Sequence, residues 1–282
     1  MGKIDKFYEA KNLFQCPKCK KKIRFHAGGL VCKKEHTFDI ASKGYVNLLQ
    51  QTKSFKGYDG TFFKSRRAFF EAGYYDHIVN EVVDTVGRLY GQAEELVVLD
   101  AGCGEGGYSA ALEASFADSG INGQVLAFDI AADAIKVAAG NDNVKWMIAD
   151  ITNIPMKDDV VDCILDVFTP ANYKEFNRVL KNDGYLIKVV PGSAHLQELR
   201  EAVKHQLQNK EYSNEEVTDY FEGHYELISR VKCTQTRELS GENLENLVRM
   251  TPLLFDVDKT KLDLSDVKEI TIEGEVLVGR KK

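Results

Sequence analysis

The chain has 282 residues, 44% hydrophobic and 28% charged, an ordinary balance for a globular protein with one large core and a small appendage. No segment approaches the roughly 18 consecutive apolar residues of a membrane span, and the opening MGKIDKFYEAKNLF lacks the apolar core and small-residue cleavage site of a secretory signal, so a cytoplasmic protein is expected. The net charge of −6 taken alone argues against nucleic acid, yet residues 1–75 hold 16 Lys and Arg against 6 Asp and Glu. A basic arm on an acidic body puts cations where a polyphosphate chain would lie; the alternative is a solvated basic face without a partner.

From Phe14 to about Tyr45 the chain is rich in Cys, Lys and Gly with little helical periodicity, and reads as a loop-and-hairpin knuckle. Three of the six cysteines (Cys16, Cys19, Cys32) fall here, while Cys103, Cys163 and Cys233 are scattered. Such a lopsided distribution suits metal-bound thiolates in a reducing compartment better than a disulfide framework. The polar stretch QTKSFKGYDGT, from Gln50 to Thr61, is the expected flexible link. A helix should follow, with Tyr75, Ile78, Val79, Val82, Val83 and Val86 on its apolar face. The expected units are therefore a module over 1–49, a linker and connecting helix over 50–90, and a large domain over 91–282.

Within the large domain, LVVLD (96–100), QVLAFD (124–129), VKWMIAD (144–150), VDCILDVF (161–168) and YLIKVV (185–190) alternate with helix-length connections. This pattern predicts an α/β fold with a mostly parallel sheet covered on both faces. Phe176, Val179 and Leu180 mark the helix before the fifth strand, with Gly184 as a left-handed cap, and Leu196, Leu199, Val203 and Leu207 mark the next helix. Near the end, Ile270, Ile272, Val276 and Val278 alternate as in a late antiparallel strand at or near the sheet edge.

The segment VVLDAGCGEGGYS (97–109) places Asp100 at the end of the first strand, then Gly102, Gly104, Gly106 and Gly107 in a tight turn entering a helix. Glycine there allows a backbone to approach a ligand closely. Asp129 closes the second strand, where a carboxylate can accept hydrogen bonds from ribose hydroxyls, and Asp150 closes the third. Three acids at three strand ends surround the crevice where open α/β sheets bind ligands; apart from a ligand, Asp100 would brace the loop and the others would be ordinary strand-end acids.

Cys16 and Cys19 are separated by two residues, Cys32 and His36 by three, with twelve between the pairs. Two short-bite pairs of three thiolates and one imidazole suit a tetrahedral zinc ion, and a closed set of four leaves no open position for chemistry, so the site is structural. His26 is the alternative fourth ligand, with a less suitable spacing.

The LDAGCGEGG run resembles the signature of class I S-adenosylmethionine methyltransferases, a Rossmann-like fold. By that resemblance Asp129 would hold the donor's ribose, Asp150 would lie by its adenine amine, and the loop would face its methionine portion. Over nearly its whole length the chain is similar to the bacterial 23S ribosomal RNA guanine-N1 methyltransferases. The likeness rests on CPKC, HTFDIASKGYVNLL (36–49), RRAFFEAGYY (66–75), the glycine loop, PGSAHLQELR (191–200) and MTPLLFDVD (250–258). DVFTPANY (166–173) and QNKEYSNEEV (208–217) look most like the Gram-positive, tylosin-resistance-like branch.

The resemblance implies an N-terminal zinc-binding module for RNA recognition, with Cys16, Cys19, Cys32 and His36 as ligands. It brings Tyr75, Gly104, Glu105 and His195 to the donor, residues that otherwise read as a helix-stripe aromatic, loop residues and a helix-start imidazole. It implies a homodimer acting on a domain II hairpin loop of the RNA. Asp166, near the end of the fourth strand, could accept the guanine N1 proton, or merely orient the loop or donor. Two rival functions are a small-molecule methyltransferase with a structural knuckle and a non-catalytic rRNA-binding assembly factor.

Overall fold

The structure, a computed structural model, describes residues 5–26, 28–51, 55–140, 143–207 and 213–282. The chain opens with α1 (Lys6–Glu9), β1 (Ile23–His26), β2 (Gly29–Cys32), β3 (Thr37–Asp39) and β4 (Tyr45–Asn47). After α2 (Gly60–Glu71) and α3 (Asp76–Tyr90) come β5 (Leu96–Ala101), α4 (Gly107–Ser119), β6 (Gly123–Asp129), α5 (Ala132–Ala138), β7 (Lys145–Ile148), β8 (Val161–Val167), α6 (Tyr173–Val179) and β9 (Leu180–Pro191). The tail holds α7 (Gln197–Val203), α8 (Glu215–His224), β10 (Tyr225–Glu238), α9 (Gly241–Met250) and β11 (Glu269–Lys281).

β1, β2 and β3 form a small antiparallel sheet. The large sheet has the order β10-β11-β9-β8-β5-β6-β7-β4, parallel from β9 to β4, with β11 antiparallel to both neighbours. All five expected parallel strands are present, and the order reverses between β5 and β8, which opens a crevice beyond their carboxyl ends. The expected late strand is β11, one place in from an edge formed by the long β10, which sequence patterning did not reveal. β4, within the stretch read as the knuckle module, pairs with β7 and extends the large sheet.

Period-two alternation separates two apolar layers. Val98, Ala127, Trp146, Leu165 and Ile187 face one side, where α3, α4, α5, α7 and α9 cover them. Leu99, Leu126, Met147, Ile164 and Leu186 face the other, where α6 and α8 share the cover with Phe7, Phe14, Ile23 and Leu30 of the knuckle. The knuckle thus supplies part of the second layer of a three-layer fold.

Two expectations need correction. The connection from β7 to β8 carries no helix. It is a loop docked on the knuckle, through Gln15 N donating to Pro155 O at 3.1 Å and Lys157 N to Leu13 O at 2.8 Å, so the knuckle occupies the space a covering helix would need. Gly184 is no helix cap either. α6 runs directly into β9, and a Cβ at Gly184 would meet Leu180 Cδ1 at 2.7 Å and Asp162 O at 2.8 Å, so the residue is small because of close packing.

Of the expected flexible link, residues 52–54 lie outside the described residues. Asp59, within it, caps α2 by accepting from Thr61 N and Phe62 N at 2.9 Å each. On α3 the expected stripe is buried at Ile78, Val79, Val82 and Val86, with Tyr75 just ahead of the helix. Among the described residues no helix is long and apolar enough to cross a membrane.

Candidate active site and metal centre

Each half of the knuckle is a tight turn closed by backbone hydrogen bonds, Lys20 N to Cys16 O at 2.8 Å and Glu35 N to Cys32 O at 2.9 Å. Lys20 and Glu35 take left-handed φ values of 58° and 61°, which aim both pairs of ligands inward. Cys16, Cys19, Cys32 and His36 place their ligand atoms within 4.8 Å of one another. His36 Nδ1 lies 3.4 Å from both Cys16 Sγ and Cys32 Sγ, and Cys19 Sγ lies 3.7 Å from Cys32 Sγ. Bond lengths of about 2.3 Å to sulfur and about 2.0 Å to nitrogen give tetrahedral edges of roughly 3.4 to 3.8 Å, so this set fits zinc. His26, exposed at the end of β1, is not part of it.

The carboxyl ends of β5, β6 and β8 open into a cavity of about 390 Å³. Gly102 and Gly104, with φ of 80° and 55°, line it, and a Cβ at Gly102 would stand 2.7 Å from Thr169 Oγ1. Asp129 lies on the wall, its carboxylate fixed by Gly104 N at 3.0 Å and Ala131 N at 2.8 Å. Phe128, Ile130, Ala149 and Ile151 make an apolar slot beside it. A flat heterocycle in the slot with its sugar on Asp129 matches an adenosine. Asp150 faces a separate hollow beside Gln50 and Gln51, accepting from Thr152 N at 2.9 Å and Thr152 Oγ1 at 2.7 Å.

Asp100 lies beneath the loop, 2% exposed, accepting from Ser109 Oγ at 2.5 Å. Burial raises its carboxyl to about 7, against the lowering by Ser109. Glu105 is also buried, and Arg66 of α2 closes on it with Nε 2.6 Å from Oε2. Arg66 lines the cavity with Tyr58, Phe62 and Phe63, so α2 is a wall of the site as well as a connection.

At the other end of the cavity Phe168 takes a left-handed φ of 53°, unusual for an aromatic residue and a form of strain often kept at functional sites. The structure brings Tyr75 and His195 together around it, with ring centroids 6.1 Å and 5.6 Å from that of Phe168. His195 Nδ1 accepts from Glu273 N at 3.2 Å, and burial lowers the imidazole to about 4, so it is neutral near pH 7. Asp166 is not on the cavity wall. It is fully buried, with Lys188 Nζ 2.7 Å from its Oδ2, and burial raises its carboxyl to about 6 against the lowering by Lys188. This geometry makes Asp166 an orienting group for the loop beyond β8, because Lys188 also donates to Thr169 O at 3.1 Å.

Residues 92–248 match a family model described as a methyltransferase domain, and residues 14–55 match one described as RlmA, N-terminal. YxjB of Bacillus subtilis strain 168, named as a 23S rRNA (guanine-N(1)-)-methyltransferase, is 33% identical over 96% of this chain and 98% of its own length. The chain belongs to the 23S rRNA (guanine-N1)-methyltransferase family. The 23S rRNA (guanine(748)-N(1))-methyltransferase of Streptomyces fradiae is 27% identical over 94% of this chain and 96% of its own.

Membership gives the chain a Rossmann-like, S-adenosylmethionine-dependent methyltransferase fold and makes the knuckle a zinc ribbon. The methyltransferase match begins just ahead of β5, and the ribbon match spans all four metal ligands. Sequence reasoning missed Arg66 and Phe168 as site residues. The only signals were their places in the family runs RRAFFEAGYY and DVFTPANY, since neither a positive φ nor an ion pair 39 positions apart leaves a periodic trace.

Proposed function

We propose that this enzyme methylates N1 of a guanine in a domain II hairpin loop of 23S ribosomal RNA, acting in the cytoplasm as a homodimer. The observation that carries the reading is the union of a cleft that sets the Asp129 carboxylate beside an apolar slot with a lysine-rich zinc ribbon built into the same sheet through β4. The names of the relatives support the 23S rRNA and guanine-N1 parts of it.

When bound, S-adenosylmethionine would supply an electrophilic sulfonium methyl for guanine N1, with a neutral thioether as the leaving group and the N1 proton passing to water. Asp129 would hold the ribose, the slot of Phe128, Ala149 and Ile151 the adenine, and Gly102 and Gly104 the methionine portion, backed by Tyr75, Glu105 and His195. Much of the rate comes from holding N1 and the methyl carbon at attack distance. N1 lies on the pairing edge, so the base must be unpaired or splayed out, which a loop nucleotide allows at low cost. Lys18, Lys20, Lys21, Lys22, Lys33 and Lys34 on the ribbon would meet phosphates.

The test is transfer of labelled methyl to deproteinised large-subunit rRNA and, in parallel, to a small-molecule extract. Label in RNA that falls steeply with salt supports the reading. Label only in small molecules, or RNA binding without transfer, would replace it with one of the rival functions.

A further inference from the structure

A second cavity, of about 540 Å³, opens beside the donor cleft, and Phe168, Thr169 and Pro170 line both. Its other sides come from Lys188 on β9, Tyr173 at the start of α6, and Glu216 and Tyr220 on α8. Tyr220 is 62% exposed, an unusual solvent exposure for a large aromatic residue, and its ring lies 5.3 Å from that of Tyr173 and 4.5 Å from that of His224. The ring is thus braced and still presents surface to the cavity. Asn214 Nδ2 donates to Pro191 O at 3.1 Å and pins the start of α8 to the end of β9, which fixes Glu216 at the rim.

Lys188 is the polar floor. Its ammonium is only 4% exposed at the side chain and donates to Asp166 Oδ2 at 2.7 Å and Thr169 O at 3.1 Å. An ammonium has three N–H groups, so among the described contacts one is left for a ligand in the cavity. An aromatic ledge, one buried donor and one carboxylate acceptor match a particular flat ligand. Guanine presents an acceptor at O6 and donors at N1 and the exocyclic N2, whereas adenine presents a donor where guanine has O6.

We propose that this cavity receives the extruded target guanine, with Tyr220 stacking on the base, Lys188 donating to O6 and Glu216 accepting from the exocyclic amine. The assignment rests on the guanine-N1 reading above and names the residues that select the base. Phe168, which lines both cavities, then stands at their junction, where N1 would meet the methyl. Charge that builds on O6 as the N1 proton leaves meets the Lys188 ammonium, a preorganised donor in a buried setting.

The experiment is single-turnover methylation of the domain II hairpin RNA by the full chain, with donor affinity measured on each variant by calorimetry. Tyr220→Ala lowers the methylation rate by about tenfold to a hundredfold, the range of one base–aromatic stack, while Tyr220→Phe keeps it and donor affinity is unchanged in both. Glu216→Gln costs about tenfold on guanine RNA and nothing further on RNA with inosine, which lacks the amine, at the target position. Wild-type transfer with Tyr220→Ala and Glu216→Gln both at the wild-type rate would remove the base from this cavity and leave the guanine-N1 reading intact. No wild-type transfer to RNA would overturn both.

Discussion

Arg66 Nε stands 2.6 Å from Glu105 Oε2, while the next residue, Arg67, donates from Nη2 to Glu105 O at 2.7 Å. Two successive arginines of α2 therefore grip one residue of the glycine loop by side chain and backbone. Glu105 is 2% exposed and the Arg66 side chain 20%, so losing either partner has unequal consequences. Arg66→Met strands a buried carboxylate and should cost on the order of 3 kcal/mol of stability, together with a marked loss of donor affinity. Glu105→Gln leaves a guanidinium that can reach solvent and should cost less. Denaturant unfolding and donor titration of both variants check the order, and equal losses would contradict the clamp.

The loop is also gauged against the chain's one tryptophan. Gly106 has a φ of 84°, and a Cβ there would lie 2.4 Å from Trp146 Cη2. Gly106→Ala combines left-handed strain with overlap on a fully buried ring and should destabilise by about 2 kcal/mol or more. Trp146 emission should shift as the ring moves, with donor binding lost in parallel. An unchanged spectrum with full donor affinity would show that the packing at Gly106 is looser than the structure states.

Zinc removal should be felt beyond the ribbon. Cys16 and Cys32 are buried in the layer that also holds Leu99, Phe128 and Met147 of the large sheet. Chelation, or Cys16→Ser, should release one zinc per chain, lower the melting temperature and abolish RNA binding. The binding free energy of a structural zinc, on the order of 10 kcal/mol in small modules, is folding free energy. Metal analysis and thermal melts with and without chelator measure this, and an unaltered melt would contradict it.

Asp100 should leave a pH signature. Burial raises its carboxyl to about 7, while the same group titrates near 3.8 when unfolded. The folded state therefore keeps a proton that the unfolded chain releases, so the contribution to stability is full below about pH 4 and is lost as pH rises through about 7. Asp100→Asn removes this titration, and its stability relative to the wild type should rise by about 3 kcal/mol between pH 5 and pH 8. Urea unfolding at both pH values reads the difference; a pH-independent difference would mean Asp100 is ionised throughout.

The parts legible in the sequence are those encoded within a few residues. The spacing of Cys16, Cys19, Cys32 and His36 is a local property of two turns, and the metal cluster has those four members. The five parallel strands show because burial on both faces demands continuous β-branched runs such as LVVLD. β10 escaped because an edge strand with one wet face, ISRVKCTQTRE, carries few apolar residues. The pairing of Tyr45 with Trp146, the placing of Lys188 against Asp166 and the left-handed Phe168 arise from chain segments brought together only by the fold. For that reason the sequence left Asp166 open between accepting the N1 proton and orienting the loop or donor, and its carboxylate faces an ammonium beneath the loop.

The most direct test of the central claim is to incubate enzyme, S-adenosylmethionine and unmodified 23S rRNA, then map the product by primer-extension arrest and nucleoside mass spectrometry. One arrest in the domain II hairpin, with 1-methylguanosine in that fragment and none from Asp129→Ala, is the predicted result. RNA without 1-methylguanosine, from an enzyme that binds both donor and zinc, would contradict it.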